Sequence, residues 1–209
     1  MPFDHNDHYH RLLLRHLPRN CGTALDVGCG TGRFARRLAG LGVEVDAIDP
    51  SAQVIAQARA LSERADVHRP PHFRQADATA LELPPGHYDF ISCLASLHHM
   101  PFDTVTRLRN ALAPGGVLVI LGCYREKGLR DGLWSLAAAP TNALIRLAVA
   151  AAETARPTSS PRRSRTKAPV KTPTMPLPEI RHQAATLLPG SHIRRLLFWR
   201  YLLIFHNET

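Results

Sequence analysis

The sequence predicts an α/β domain built on an open, doubly wound parallel sheet. Three observations predict it. Short apolar runs alternate with helical patterns five times within about 120 residues, a rhythm that implies parallel strands joined by right-handed crossovers. The first run ends in a glycine-rich turn, and the second ends in an aspartate. The 209 residues are 44% apolar and 21% charged, an ordinary globular balance with enough apolar surface for one sizeable core.

Residues 8–17 read as a short helix with Leu12, Leu13 and Leu17 facing inward, broken by Pro18 to Gly22. Thr23–Val27 is a buried strand that runs into Gly28-Cys29-Gly30-Thr31-Gly32. A helix follows over about Arg33 to Leu41, with Phe34, Leu38 and Leu41 at helical spacing. Val43–Ile48 alternates as a second strand and meets Asp49-Pro50. Ser51 is placed to cap a helix through about Arg64. His72–Gln75 and Tyr88–Leu94 read as strands, Pro101–Leu112 as a helix, and Val117–Leu121 as a strand after the turn Pro114-Gly115-Gly116. In such sheets the ligand lies beyond the carboxyl ends of the strands. The chemistry is therefore expected after Val27, Ile48, Gln75 and Leu94.

From Arg125 the rhythm changes. An apolar helical stretch runs to about Ala155, and residues 156–176 hold five prolines and six basic residues with no acid. The second piece reads as a mobile linker. Its apolar neighbour, Leu133–Ala152, contains Pro140, Asn142 and Arg146, and an arginine near the centre of a span costs at least ~2.5 kcal/mol. It reads as a core, lid or interfacial helix rather than a membrane span. A helix over Pro178–Leu188 and one or two strands over His192–Phe205 bring the tail back to the sheet. The chain thus divides into one domain over 1–209, with a cap helix at 1–20, an insertion at 125–176, and a closing helix and strands at 177–209.

Charge and cysteines narrow the class. The net charge is +9, but residues 1–155 carry 16 Lys/Arg against 15 Asp/Glu, while 156–209 carry 10 against 2. The excess is local, so it does not make the whole chain a nucleic-acid binder. Cys21, Cys29, Cys93 and Cys123 form no C-x-x-C pair, and the N-terminus lacks a basic and apolar leader. Reduced thiols and a cytoplasmic location are expected. His5, His8 and His10 lack regular metal spacing, and no metal is expected.

Glycines in the turn let a ligand approach the backbone, and the following helix start offers N–H groups. Asp49 lies 17 residues after Gly32, where a carboxylate accepts both hydroxyls of a ribose. A dehydrogenase would want G-x-G-x-x-G, whereas this loop reads G-x-G-x-G.

The run Ala24-Leu25-Asp26-Val27-Gly28-Cys29-Gly30-Thr31-Gly32 resembles motif I of class I S-adenosylmethionine-dependent methyltransferases. Asp49-Pro50-Ser51, Gln75-Ala76-Asp77-Ala78, the stretch Tyr88–Cys93 with Ser96–Met100, and Leu112–Leu118 resemble their later motifs in order. The ending around Leu188-Pro189-Gly190 is similar to that of small bacterial members. The resemblance implies a Rossmann-like sheet of seven strands, mostly parallel with an antiparallel C-terminal strand, and helices on both faces. It implies S-adenosyl-L-methionine as cofactor. Gly28, Cys29, Gly30 and Gly32 would wrap its methionine part, and Asp26 would support the loop or reach the amino group. Asp49 would hold the ribose, Pro50 would pack on the adenine, Asp77 and Ala78 would read its edge, and Leu94 would lend backbone. Tyr9 and His10 would form a cap. His98 and His99, after the fourth strand, are the candidate catalytic proton acceptors, since imidazole titrates near neutrality. Pocket wall and helix capping remain alternative roles for them.

The sequence Cys93-Leu94-Ala95-Ser96 stands where Asp/Asn-Pro-Pro-Tyr marks many nucleic-acid amino-methylating enzymes, and no Pro-Cys nucleophile is present. The expected acceptor is a small molecule. RNA or an anionic membrane meeting the basic 156–171 segment, and cofactor binding without catalysis, remain alternatives. No obligate protein partner is indicated.

Overall fold

A computed structural model describes residues 5–65, 69–125, 172–196 and 199–208. The apolar stretch Leu133–Ala152 and residues 156–171 of the basic linker therefore lie outside the described residues, as do Leu197 and Phe198. The elements run α1 (His5–Leu14), β1 (Thr23–Val27), α2 (Arg33–Ala39), β2 (Glu44–Asp49), α3 (Ala52–Glu63), β3 (His72–Gln75), β4 (Tyr88–Leu94), a 3₁₀ turn (Leu97–His99), α4 (Thr104–Ala111), β5 (Leu112–Cys123), α5 (Leu177–Leu187), β6 (His192–Arg195) and β7 (Arg200–His206). The described strands form one seven-stranded sheet in the order β3-β2-β1-β4-β5-β7-β6. Strands β1 to β5 are parallel, and β7 is antiparallel to both of its neighbours. The order reverses between β1 and β4, which opens a crevice at their carboxyl ends.

Each face of the sheet carries its own core. Leu13 of α1, Phe34 and Leu38 of α2 and Ile55 of α3 cover one face. Val105 and Leu108 of α4 and Ile180 of α5 cover the other. Because both faces are buried, β4 and β5 read as nearly continuous apolar runs rather than alternating ones. Side chains also tie the parallel strands together. Tyr88 Oη donates to Asp46 Oδ2 at 2.7 Å, and the Gly22 and Thr23 N–H groups donate to Asp89 Oδ2 at 2.8 and 3.0 Å.

The structure corrects several boundaries. The first helix spans His5–Leu14 rather than 8–17. His16 and Leu17 instead donate to Leu13 and Leu14, three residues back, so the last turn tightens before Pro18. Helix α2 stops at Ala39, and Leu41 is 59% exposed rather than facing inward. Gly40 and Gly42 end the helix there and turn the chain towards β2. The fourth helix begins at Thr104, not Pro101, after a turn in which Thr104 donates to the Pro101 carbonyl. Strand β5 begins at Leu112 and runs through the expected turn. The reason lies far along the chain. Gly115 donates to the Asn207 carbonyl at 2.6 Å, Asn207 N–H donates to Gly116 at 2.9 Å, and Asn207 Nδ2 reaches the carbonyls of Leu112 and Ala113. Of the one or two strands expected in the tail, two form, β6 and β7.

Arg125 and Pro176 form a parallel bridge, and the Arg125 N–H donates to Met175 at 2.9 Å. The two ends of the intervening segment therefore meet beside the sheet.

Candidate active site

The loop after β1 is folded by its own amides. Gly28 and Cys29 N–H both donate to the Ile48 carbonyl, at 2.8 and 2.9 Å. Gly30 N–H donates to Asp49 Oδ2 at 3.1 Å, and Ser51 N–H donates to Asp49 Oδ1 at 2.9 Å. Asp49 thus ties the glycine loop to the start of α3, where Ser51 Oγ accepts from Val54 N–H. From the other side, Arg36 Nη1 donates to the Thr31 carbonyl at 2.8 Å.

Two glycines show what the loop needs. Gly28 and Gly30 have φ of 69° and 54°, left-handed values that favour glycine. A Cβ on Gly28 would overlap Ser96 Cβ, whereas a Cβ on Gly30 would meet nothing within 4 Å. So Gly28 is required by packing, while Gly30 faces open space that a ligand can enter.

Ser96 is the residue that sequence reasoning missed here. Its Oγ donates to the Val27 carbonyl at 2.6 Å, locking the turn after β4 onto the end of β1. Ala95, at φ 53°, makes the reversal possible, and its N–H donates to Leu121 at 2.7 Å. A left-handed alanine costs about 1–2 kcal/mol. No sequence signal marks it, because alanine is not a turn former.

A cleft of about 260 Å³ lies over the ends of β1, β2 and β3. It brings together Gly28, Pro50, Asp77, Ala78 and His99 from the expected set, and adds Thr79 and Met100. Asp77 Oδ1 accepts from the Thr79 N–H at 2.9 Å and from its Oγ1 at 2.8 Å. These bonds hold its carboxyl below the usual carboxylate range. Asp26 does not line the cleft. It is buried, accepts from Ser92 Oγ at 2.8 Å, and is pushed up to about 7 by burial, against the hydrogen bonds from Ser92 and Ala35. Cys29 is held as a thiol by burial and by Asp26 and Asp49. Cys93 is fully buried and likewise kept a thiol by burial.

The cap residues are also structural neighbours of the sheet. Tyr9 and His10 are buried, and the His10 ring lies 5.0 Å from Phe34. His98 and His99 do not occupy one site. Their rings are 4.1 Å apart, yet His99 lines the cleft and His98 lines a second cavity of about 50 Å³ with Leu97, Met100, Phe102, Cys123 and Tyr201. Met100 belongs to both. Burial, His99 and Arg200 push His98 down to about 4, so it is an uncharged imidazole at neutral pH. Among the described residues no group of three His, Cys, Asp or Glu side chains is placed to hold a metal, and no helix is long and apolar enough to cross a membrane.

Comparison with known proteins agrees with this geometry. Residues 24–116 match the profile of a family described as methyltransferase domain. An uncharacterized methyltransferase of Mycobacterium bovis is 34% identical over 205 residues, covering 97% of this chain and 95% of its own. The chain belongs to the class I S-adenosylmethionine-dependent methyltransferases. Its cofactor is S-adenosyl-L-methionine. Matches limited to about half of the chain reach relatives with different acceptors in their names. A tRNA U34 carboxymethyltransferase of Shewanella sediminis is 38% identical over 52% of this chain and 34% of its own. A 27-O-demethylrifamycin SV methyltransferase of Amycolatopsis mediterranei is 36% identical over 50% of this chain and 40% of its own. The fold is shared with the PH0226 protein of Pyrococcus horikoshii, at a TM-score of 0.67 and 18% identity over 96% of this methyltransferase and 88% of that chain.

Proposed function

We propose that this methyltransferase alkylates a small organic acceptor held over the ends of β4, β5 and β7. The observation that carries the reading is the pair of adjoining cavities, one over the glycine loop and one beside His98, which share Met100. The first suits the cofactor. Asp49 has its two oxygens pinned by Gly30 and Ser51, which aims the remaining lone pairs at ribose hydroxyls. Pro50 and Ala78 offer apolar contact to the adenine, and Asp77 accepts from its amino group. The open side of Gly30 admits the methionine portion, with Leu94 backbone beyond it. Asp26, locked to Ser92, supports the loop from below, and Tyr9 and His10 brace it from α1.

The bound cofactor supplies an electrophilic methyl group on a sulfonium. The protein has to exclude water and hold the acceptor atom in line at about 3–3.5 Å, a positioning effect that can supply several kcal/mol. His98, uncharged, orients an acceptor hydroxyl or amine by hydrogen bonding rather than by storing a proton. His99, at the cleft wall, is the second candidate to take one. The cavity beside His98 is small, about 50 Å³, and lined mainly by apolar side chains, which suits a small molecule better than a polynucleotide strand. The whole chain forms one functional domain in this reading, with the 125–176 segment as an insertion beside the acceptor side.

The test is transfer of a radiolabelled methyl group into fractionated small molecules, RNA and lipids. Label is expected in the small-molecule fraction and is expected to persist when residues 157–171 are deleted. Label found in RNA alone, lost with that deletion, would overturn the reading.

A further inference from the structure

Arg200 opens β7, directly opposite Cys123 at the end of β5. This is the same carboxyl edge of the sheet that carries His98. Its Nη1 is buried, yet it makes no hydrogen bond among the described residues. His98 Nδ1 is in the same condition. The charge of Arg200 acts on Tyr9 of α1, on Cys123 and on His98. None of those three neighbours is a carboxylate, and no ion pair of Arg200 exists among the described residues.

An orphaned buried N–H is costly, and more so on a charged group. Such a group in a native protein is completed by water, an ion or a ligand, or serves a catalytic role. A guanidinium presents planar, paired donors that match a carboxylate. One residue on, Tyr201 lines a cavity with His98, Leu97, Met100 and Phe102 that offers room for an apolar group. Resting on the proposed function above, we infer that Arg200 receives the carboxylate of a bound ligand at this edge, with His98 as the neutral polar group next to it. Two ligands bring that chemistry to the site: an acceptor that is a small organic acid with an apolar body, and the amino-acid end of the cofactor. Arg200 is then the residue that selects an ionised ligand, a role that belongs to the antiparallel strand and not to the motifs around the glycine loop.

The experiment uses the full chain, R200Q, and R200K as the charge-keeping control, all checked for equal melting temperature. Two pairs of probes are titrated by calorimetry and ligand-observed NMR. Benzoate against benzamide, with and without S-adenosylhomocysteine, reports an acceptor carboxylate. S-adenosylhomocysteine against 5′-methylthioadenosine reports the cofactor's carboxylate. The inference expects R200Q to weaken the carboxylate member of one pair by about tenfold or more, as for the loss of one charge-assisted contact, and to spare its neutral partner. R200K should recover part of that loss. Equal binding of both pairs by wild type and R200Q overturns the inference. Wild type failing to bind both adenosyl probes overturns the proposed function instead, and the benzoate arm still decides the role of Arg200.

Discussion

Two alanine substitutions two residues apart should fail in different ways. At Gly30 the cost is backbone strain alone. A left-handed alanine costs about 1–2 kcal/mol, partly offset by the reduced freedom of the unfolded chain, roughly 0.4–1 kcal/mol. Since nothing lies within 4 Å of the added methyl, the net loss is about 1 kcal/mol, or roughly 2–4 °C in a domain of this size. At Gly28 the same strain is joined by overlap with Ser96 Cβ. Moving Ser96 breaks its 2.6 Å bond to Val27, worth about 1 kcal/mol, and forcing a methyl into a filled site adds about 1–3 kcal/mol. G28A should therefore lose about 3–5 kcal/mol, a large part of the ~5–15 kcal/mol that holds a typical domain. Ligand binding reverses the ranking of what survives. Wild type with S-adenosylhomocysteine at 100 times its Kd should gain ~2.7 kcal/mol, roughly 5–10 °C. G30A, nearly as stable as wild type, should lose that gain because its methyl occupies the ligand's approach. Scanning fluorimetry with and without S-adenosylhomocysteine reads both effects. A G30A protein that keeps the full ligand shift would refute the cradle, and a G28A protein as stable as G30A would refute the Ser96 contact.

D49A should abolish the same ligand shift, since it removes the proposed ribose acceptor and unpins the N–H groups of Gly30 and Ser51; isothermal titration that finds unchanged affinity would remove Asp49 from the site. Asp26 predicts a pH dependence of stability. Its folded carboxyl is raised to about 7 from 3.8, so between those values the native state holds a proton that the unfolded state has released. Stability present below pH 4 is lost as pH rises through 7, by a total on the order of a few kcal/mol. D26N should flatten that slope in urea denaturation compared at pH 5 and pH 8, and an unchanged slope would place its origin elsewhere. His98, lowered to about 4 by burial, His99 and Arg200, should show no NMR titration between pH 8 and pH 5.5. An inflection near 6.5 would contradict its burial. Y88F should cost about 1–2 kcal/mol, because it removes the 2.7 Å bond to Asp46 while leaving the cofactor shift intact.

Much of the cofactor side was legible because its determinants are local. Glycines at 28, 30 and 32 and the aspartate that ends β2 sit at spacings set by one strand–turn–helix unit, and chain connectivity places them together. The parallel run of β1 to β5 follows from the crossover rule. What escaped depends on contacts between distant residues. Ser96 acquires its role only because β4 lies beside β1, 69 residues earlier in the chain. The extension of β5 through Pro114-Gly115-Gly116 depends on Asn207, and local turn chemistry pointed the other way. The two histidines looked equivalent as neighbours in sequence. The 3₁₀ turn sends them to different cavities, and Arg200, a hundred residues on, helps set the charge state of one.

The sequence by itself determined the alternation of strands and helices, the glycine loop and its acidic partner, and hence the family and its cofactor. These are properties of short segments, where hydrophobic period and backbone freedom decide. Only the tertiary structure decided which polar groups are buried without a partner, which glycine is filled by a neighbour and which is open, and which histidine stays uncharged. Desolvation and packing depend on what the rest of the chain brings alongside, and no local pattern carries that information.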